Sequence, residues 1–228
     1  PTYDATGHTG TQYTGPITVS ETTTLKAIAV KEGMNNSNVA TATYTFPEVY
    51  TTIPALFEAA TSSNKNVLVT FDNWVVSGVA TTGKNIFVTD NVGHGLIIYY
   101  NTNMSSTFAA GDVLTGTAVA CQLKLYNGSA ELLNVNATEL TITEGGTVTT
   151  ADMSMADLTG VNTGALVHYD NLTCSVSSDK YYLSDSTTTI QVYHSLYADA
   201  YTNLEANKVY NITAVYQQLN STKEVLPR

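Results

Sequence analysis

Four histidines (His8, His94, His168, His194) and two cysteines (Cys121, Cys174) are the side chains of this 228-residue chain best suited to act as metal ligands, bases or nucleophiles. Catalysis needs such a group together with a partner that activates it and a third that orients it. None of the histidines stands at metal-ligand spacing from a cysteine, an aspartate or another histidine. His8 lies in a Gly- and Thr-rich stretch, and His94 is held between Gly93 and Gly95, as turn residues are. There is no Gly-x-Ser-x-Gly elbow, P-loop or Asp-rich calcium loop. Asp72-Asn73 recurs as Asp170-Asn171, and Asp90 as Asp185, which suggests structural tasks: capping a bulge in a long strand and opening hairpin turns. The expectation is a chain that is not an enzyme and uses no metal or cofactor.

Charge narrows the partners further. Nine basic against 19 acidic residues give a net charge of −10, and the one arginine is Arg228. Gripping phosphates requires clustered Lys and Arg, so no nucleic acid is expected. The same shortage argues against anionic membrane surfaces, and no apolar run is long enough to span a bilayer. The two cysteines occupy non-equivalent places and read as packed or free thiols.

The elements that must position any site come in two sets. Val67-Leu68-Val69-Thr70-Phe71-Asp72-Asn73 is echoed by Ala165-Leu166-Val167-His168-Tyr169-Asp170-Asn171, and the echo continues in order to Glu131-Leu132-Leu133 and Glu224-Val225-Leu226. Strands are predicted near 66–76, 84–90, 95–100, 113–121 and 129–135, and again near 165–176, 180–185, 189–194, 208–217 and 222–226. Five strands with a connection between the third and fourth follow the OB-fold plan. A brief helix is predicted over Ile53–Ala60, with Pro54 in its first turn. Others are predicted around Met155–Leu158, ended by Gly160, and within Ser195–Ala206; the segment 101–111 has room for a helical turn. The organisation is all-β in three parts: a partial sandwich over 1–46, a first barrel over 47–142, and a connector with a second barrel over 143–228.

Period-two alternation assigns faces to the second and third strands of each unit. In the second unit, Tyr181, Leu183, Ile190 and Val192 suit a barrel interior, and Tyr182, Gln191 and Tyr193 suit a solvated surface. The matching outward face of the first unit carries Phe87, Ile97 and Tyr99 and is more apolar. Since OB-folds bind ligands on this face, these six residues are the candidate ligand-binding set. The alternative is that Phe87, Ile97 and Tyr99 pack against the neighbouring unit or the helix near Leu56-Phe57. Trp74, whose echo is Leu172, reads as core.

Two stretches carry family resemblances. Tyr13-Thr14-Gly15-Pro16-Ile17, the run Thr24–Ala29, and Asn36-Ser37 leading into Ala42-Thr43-Tyr44 resemble the latter half of the chitobiase/β-hexosaminidase C-terminal domain, an immunoglobulin-like accessory module of secreted bacterial proteins. The resemblance implies a sandwich lacking strands, either because the boundary is artificial or because a strand donated from elsewhere completes it. Leu166-Val167, Tyr169–Leu172, Tyr182–Asp185 and Glu224–Arg228 resemble the tandem OB-like modules of secreted lipoproteins and extracellular nucleases of gut commensal bacteria. That resemblance implies an extracellular or bacterial cell-surface location and carries no catalytic residue. The expected function is a non-catalytic binding or adhesion module for a glycan or protein partner, or else an accessory region of a larger secreted hydrolase or nuclease.

Overall fold

The computed structural model describes residues 10–196 and 203–228, and divides the chain into two compact units, Pro1–Pro47 and Glu48–Arg228. His8 and part of the helix predicted within Ser195–Ala206 lie outside the described residues.

Among the described residues the first unit holds one antiparallel pair, β1 (Thr23–Ala27) and β2 (Ala40–Tyr44). The stretch 14–19, which the sequence reads as a strand of the sandwich, is not one. Pro16 offers no N–H to a ladder, and large apolar side chains such as Tyr13, Ile17 and Tyr44 remain exposed. Two strands do not enclose a core.

The second unit is built from paired strands in two closed barrels. β3 (Glu48–Tyr50) and α1 (Ile53–Ala59) lead into β4 (Lys65–Val79), β5 (Asn85–Thr89), β6 (Gly95–Tyr99), β7 (Val113–Tyr126) and β8 (Ser129–Leu133). β9 (Thr141–Thr143) adds to the edge of β7. β10 (Thr150–Ala151) then precedes β11 (Leu166–Ser177), β12 (Lys180–Ser184), β13 (Thr189–Val192), β14 (Val209–Leu219) and β15 (Thr222–Pro227). Pairing runs β4-β5-β6-β8-β7 and closes β7 on β4; the second barrel runs β11-β12-β13-β15-β14 and closes β14 on β11. In each, the third and fifth strands pair in parallel. This is the five-stranded Greek-key barrel expected from the sequence, made twice with one strand order.

Closure forces the first strand of each barrel to bend. Both strands do so at the recurring Asp-Asn: Asn73 (φ 54°) and Asn171 (φ 57°) take the left-handed conformation, and the ladder to β7 or β14 slips there. Asparagine tolerates that region better than other side-chain-bearing residues. Asp90 and Asp185 cap the hairpin turns as expected, accepting backbone N–H bonds from Val92 and His94, and from Thr187 and Thr188.

Each barrel is closed at one end by the segment before it. Thr52 caps α1 through Ala55 N, and Ile53 and Leu56 are buried in the first core. Met155 and Leu158 plug the second core in the same way, without the predicted helix. Ser154 and Asp157 bond to each other to form a turn, and Lys223 Nζ takes the Met155 and Ala156 carbonyls at 2.8 and 2.6 Å. Those carbonyls are therefore not given to a helical ladder, and Gly160 starts a 3₁₀ turn (Gly160–Asn162) instead of ending a helix. The segment 101–111 likewise forms turns, and Phe108 is buried in the first core.

The barrels meet along a third apolar cluster that includes Phe87, Ile97, Leu166, Val215 and Leu226. Polar bonds fasten the seam: Ser77 Oγ donates to Gly164 O (2.5 Å), Asn162 Nδ2 to Gly93 O (2.7 Å), and Arg228 Nη1 to Ser77 O (2.9 Å). Backbones approach so closely that a methyl group at Gly95 would sit 2.3 Å from Thr163 O, and one at Gly164 (φ +97°) 2.5 Å from Val88 O. These neighbours are main-chain atoms and cannot rotate away. Gly95→Ala and Gly164→Ala are expected to destabilise the second unit by roughly 2–3 kcal/mol, read as a lowered urea midpoint. Gly15→Ala, whose methyl meets nothing within 4 Å, is expected to leave that midpoint unchanged.

Candidate functional site

The seam decides the fate of the predicted ligand-binding face. Phe87 is 0% and Ile97 4% exposed, both packed in the cluster between the barrels. The apolar face thus meets the second barrel and is not an open patch. Gln191 is also removed from solvent. Its Nε2 donates to Glu224 Oε1 at 3.2 Å, so its polarity serves a buried carboxylate, not a surface. Tyr182 is half-buried opposite Gln191 on the β12–β13 ladder, and Tyr193 is exposed with its ring 4.9 Å from that of His194. Tyr99 keeps part of its surface while packing against the seam. The six candidates therefore do not form one site. Trp74 is core, edge-on to Phe71 at 4.9 Å.

The histidines and cysteines are likewise dispersed. His94 Nδ1 pairs with Asp90 Oδ2 at 2.7 Å inside its own turn, and exposed His168 meets Thr213 and Asp170. Cys121 and Cys174 are buried in different barrel cores, and burial pushes the Cys121 thiol up to about 12, so it stays protonated.

Two buried carboxylates were not singled out from the sequence. Glu131 on β8 and Glu224 on β15 occupy corresponding fifth-strand positions and are 7% and 2% exposed. Glu224 shares an outward face with Leu226 of the seam, and Glu131 with Ser129, whose hydroxyl meets Thr163 Oγ1 and Gln218 O at 2.8 Å each. Burial pushes both carboxyls up to about 7, against the opposing pull of Lys124 on Glu131 and Lys180 on Glu224. The Gln191 and Gln217 amides bonded to Glu224 also favour its ionised form. The signal lay in the echo itself: a glutamate repeated within an otherwise apolar strand.

Tyr99 leads to a polar concavity of the first barrel. Where β6 and β8 end and β4 begins, beside Gln122 within β7, a solvent-open groove of about 310 Å³ is lined by the amides of Asn64, Asn101, Gln122 and Asn134 and by the rings of Tyr99 and Tyr100. Leu133 and Val135 supply its aliphatic part. The ladders bring these residues together: Tyr99 is level with Leu133, and Leu133 with Gln122. Gln122 Oε1 accepts from Asn64 Nδ2 and Asn134 Nδ2, each at 3.1 Å, and its Nε2 donates to Asn66 Oδ1 at 3.2 Å. Tyr100 stands near Phe108, ring centroids 5.8 Å apart, and its buried hydroxyl has no hydrogen-bond partner among the described residues. Burial pushes that hydroxyl up to about 12, so it stays a neutral donor. No lining side chain is charged.

The family model described as chitobiase/β-hexosaminidase C-terminal domain matches residues 2–41. No curated protein matches the chain. Similar solved structures include the p204 HINb domain, 10% identical at a TM-score of 0.30 over 69% of this chain and 95% of that one. Another is the Ifi202 HINa domain in complex with 20-bp double-stranded DNA, 10% identical at a TM-score of 0.26 over 72% and 94%. Similarity this low transfers neither fold detail nor ligand.

Two outcomes are expected from the seam. A carboxyl whose folded pKa is raised is favoured by folding only while protonated, so its stabilising share is complete below the unfolded value of 4.5 and is lost as pH rises through about 7. Glu131→Gln is expected to flatten the fall in melting temperature across that window and to stabilise the protein at pH 8 by roughly 1–3 kcal/mol. Calorimetric scans from pH 4 to pH 8 check this. Phe87→Ala is expected to cost roughly 3–5 kcal/mol in urea unfolding, because it empties a volume that both barrels line.

Proposed function

We propose that the chain is a non-catalytic binding module that works outside the cell or on a bacterial cell surface, recognising a glycan or a protein partner. The observation that carries this reading is the uncharged, solvent-open groove at the end of the first barrel. It combines a fixed set of side-chain amides with tyrosine rings, a lining that offers recognition and supplies no nucleophile, base or ion. The tandem OB-like reading of the two barrels, as one unit made twice, fits this role: the second copy supports the first instead of adding reactive groups.

A second reading is favoured by the family match over residues 2–41. In it the chain is the accessory region of a larger secreted hydrolase or nuclease and holds that enzyme near its substrate. Both edges of the β1–β2 pair lack a further strand among the described residues, which leaves room for a donated strand to complete the sandwich.

Nucleic acid is not the partner proposed. The face of the second and third strands, on which OB-folds take single strands, is packed against the second barrel at Phe87 and Ile97, and the net charge of −10 repels phosphates. Among the described residues no helix is long and apolar enough to cross a membrane.

The test is a glycan array and a panel of extracellular matrix proteins probed with the intact chain, beside a DNA titration at low and high salt and a hydrolysis assay on aryl glycosides. Retention of a glycan or matrix protein with neither DNA binding nor turnover is the expected result. Salt-dependent DNA binding with nothing retained from either panel, or turnover by the chain alone, overturns the proposal.

A further inference from the structure

We infer that the groove at the end of the first barrel binds a short stretch of uncharged saccharide, read by the amide set centred on Gln122 and by the ring of Tyr99. This rests on the binding-module reading above and names the ligand class for it.

The lining selects for hydroxyl groups. A sugar hydroxyl both donates and accepts, and so does a carboxamide. Gln122 is held on both sides, its Oε1 by Asn64 and Asn134 and its Nε2 by Asn66. In those bonds Asn64 and Asn134 serve as donors through Nδ2, so their side-chain carbonyls remain acceptors for a ligand. Asn101, exposed beside them, makes no side-chain hydrogen bond among the described residues and is free to do either. The polar array is therefore set before a ligand arrives, which lowers the ordering cost of binding.

The lining also selects against charge. A carboxylate or sulfate would enter a groove with no cation in it, on a protein of net charge −10. The nearby Lys65 ammonium is already held by Glu48 at 2.6 Å and by the Tyr50 hydroxyl at 2.8 Å. A protein partner is the weaker fit, because protein hot spots want a buried aromatic or arginine-filled pocket. This groove, open and mostly polar, offers only Leu133 and Val135 as an aliphatic floor.

Size and placement agree. A volume of about 310 Å³ is at the small end for ligand sites and holds one or two sugar rings. Tyr99 also packs on the seam, so its ring is steadied from behind by the neighbouring barrel. A steadied ring is a platform for the apolar face of a pyranose.

The experiment titrates the intact chain with cellotetraose, xylotetraose, mannotetraose and chitotetraose, and with tetragalacturonate as the acidic counterpart, by calorimetry and backbone-amide NMR. At least one neutral oligosaccharide is expected to bind and to shift the Asn101, Gln122 and Asn134 amides, with tetragalacturonate at least about ten-fold weaker. Asn101→Ala and Gln122→Ala are expected to weaken that binding about ten-fold or more at unchanged melting temperature. Tyr99→Ala is expected to abolish it while also lowering the melting temperature. Tighter binding of tetragalacturonate, binding indifferent to Asn101→Ala and Gln122→Ala, or no binding by any neutral oligosaccharide overturns the inference. A glycan or protein held elsewhere on the chain would overturn this inference and leave the module reading standing; an intact chain that binds neither defeats both.

Discussion

The contact on which the rest depends is the seam where the two barrels meet back to back. A small closed barrel has a filled interior and an outer surface that usually faces water. Here part of that outer surface, around Phe87 and Ile97, is as apolar as the interior and is covered by Leu166, Val215 and Leu226 of the other barrel. Gly95 and Gly164 let the main chains come within van der Waals distance, and Ser77, Asn162 and Arg228 supply hydrogen bonds that apolar packing alone would not direct. The second unit consequently behaves as one body of two barrels. The face formed by the first barrel's second and third strands is covered by the second barrel, and the uncharged groove lies elsewhere, at the first barrel's end.

Much of this architecture was legible in the sequence. Alternating strands, the repeated Asp-Asn and the turn aspartates each have a local cause, and each appears where that cause puts it. The bulges at Asn73 and Asn171 show why: a left-handed residue in a bent strand demands a particular side chain at a particular place. What alternation does not carry is the identity of the cover. Period two said that Phe87, Ile97 and Tyr99 share a face, and a ligand or a neighbouring barrel would satisfy that pattern equally. The missing helix at Met155–Leu158 has a similar origin, since Lys223, far along the chain, takes its carbonyls.

The groove was hidden for a different reason. Asn64, Tyr99 and Asn134 lie at strand ends and Gln122 within β7, and the ladders joining β6, β7 and β8 bring them level. Each residue by itself looks like ordinary loop polarity. Glu131 and Glu224 were visible as an echo, but their burial depends on which outer face the neighbouring barrel covers. Chemistry assembled by tertiary pairing leaves little local trace, and here both the uncharged groove and the buried carboxyls are of that kind.

The seam has a consequence for how the protein is made. A ribosome delivers the chain from its first residue onward, so the first barrel is complete while Val215 and Leu226 are still unsynthesised. At about 5–20 residues per second, Phe87 and Ile97 must wait several seconds for their cover, on a surface able to adhere to other nascent chains. The interval ends only when the last two strands, β14 and β15, leave the exit tunnel. Any slowing of translation across those strands prolongs the time in which a holdase, or an aggregate, can reach that surface first.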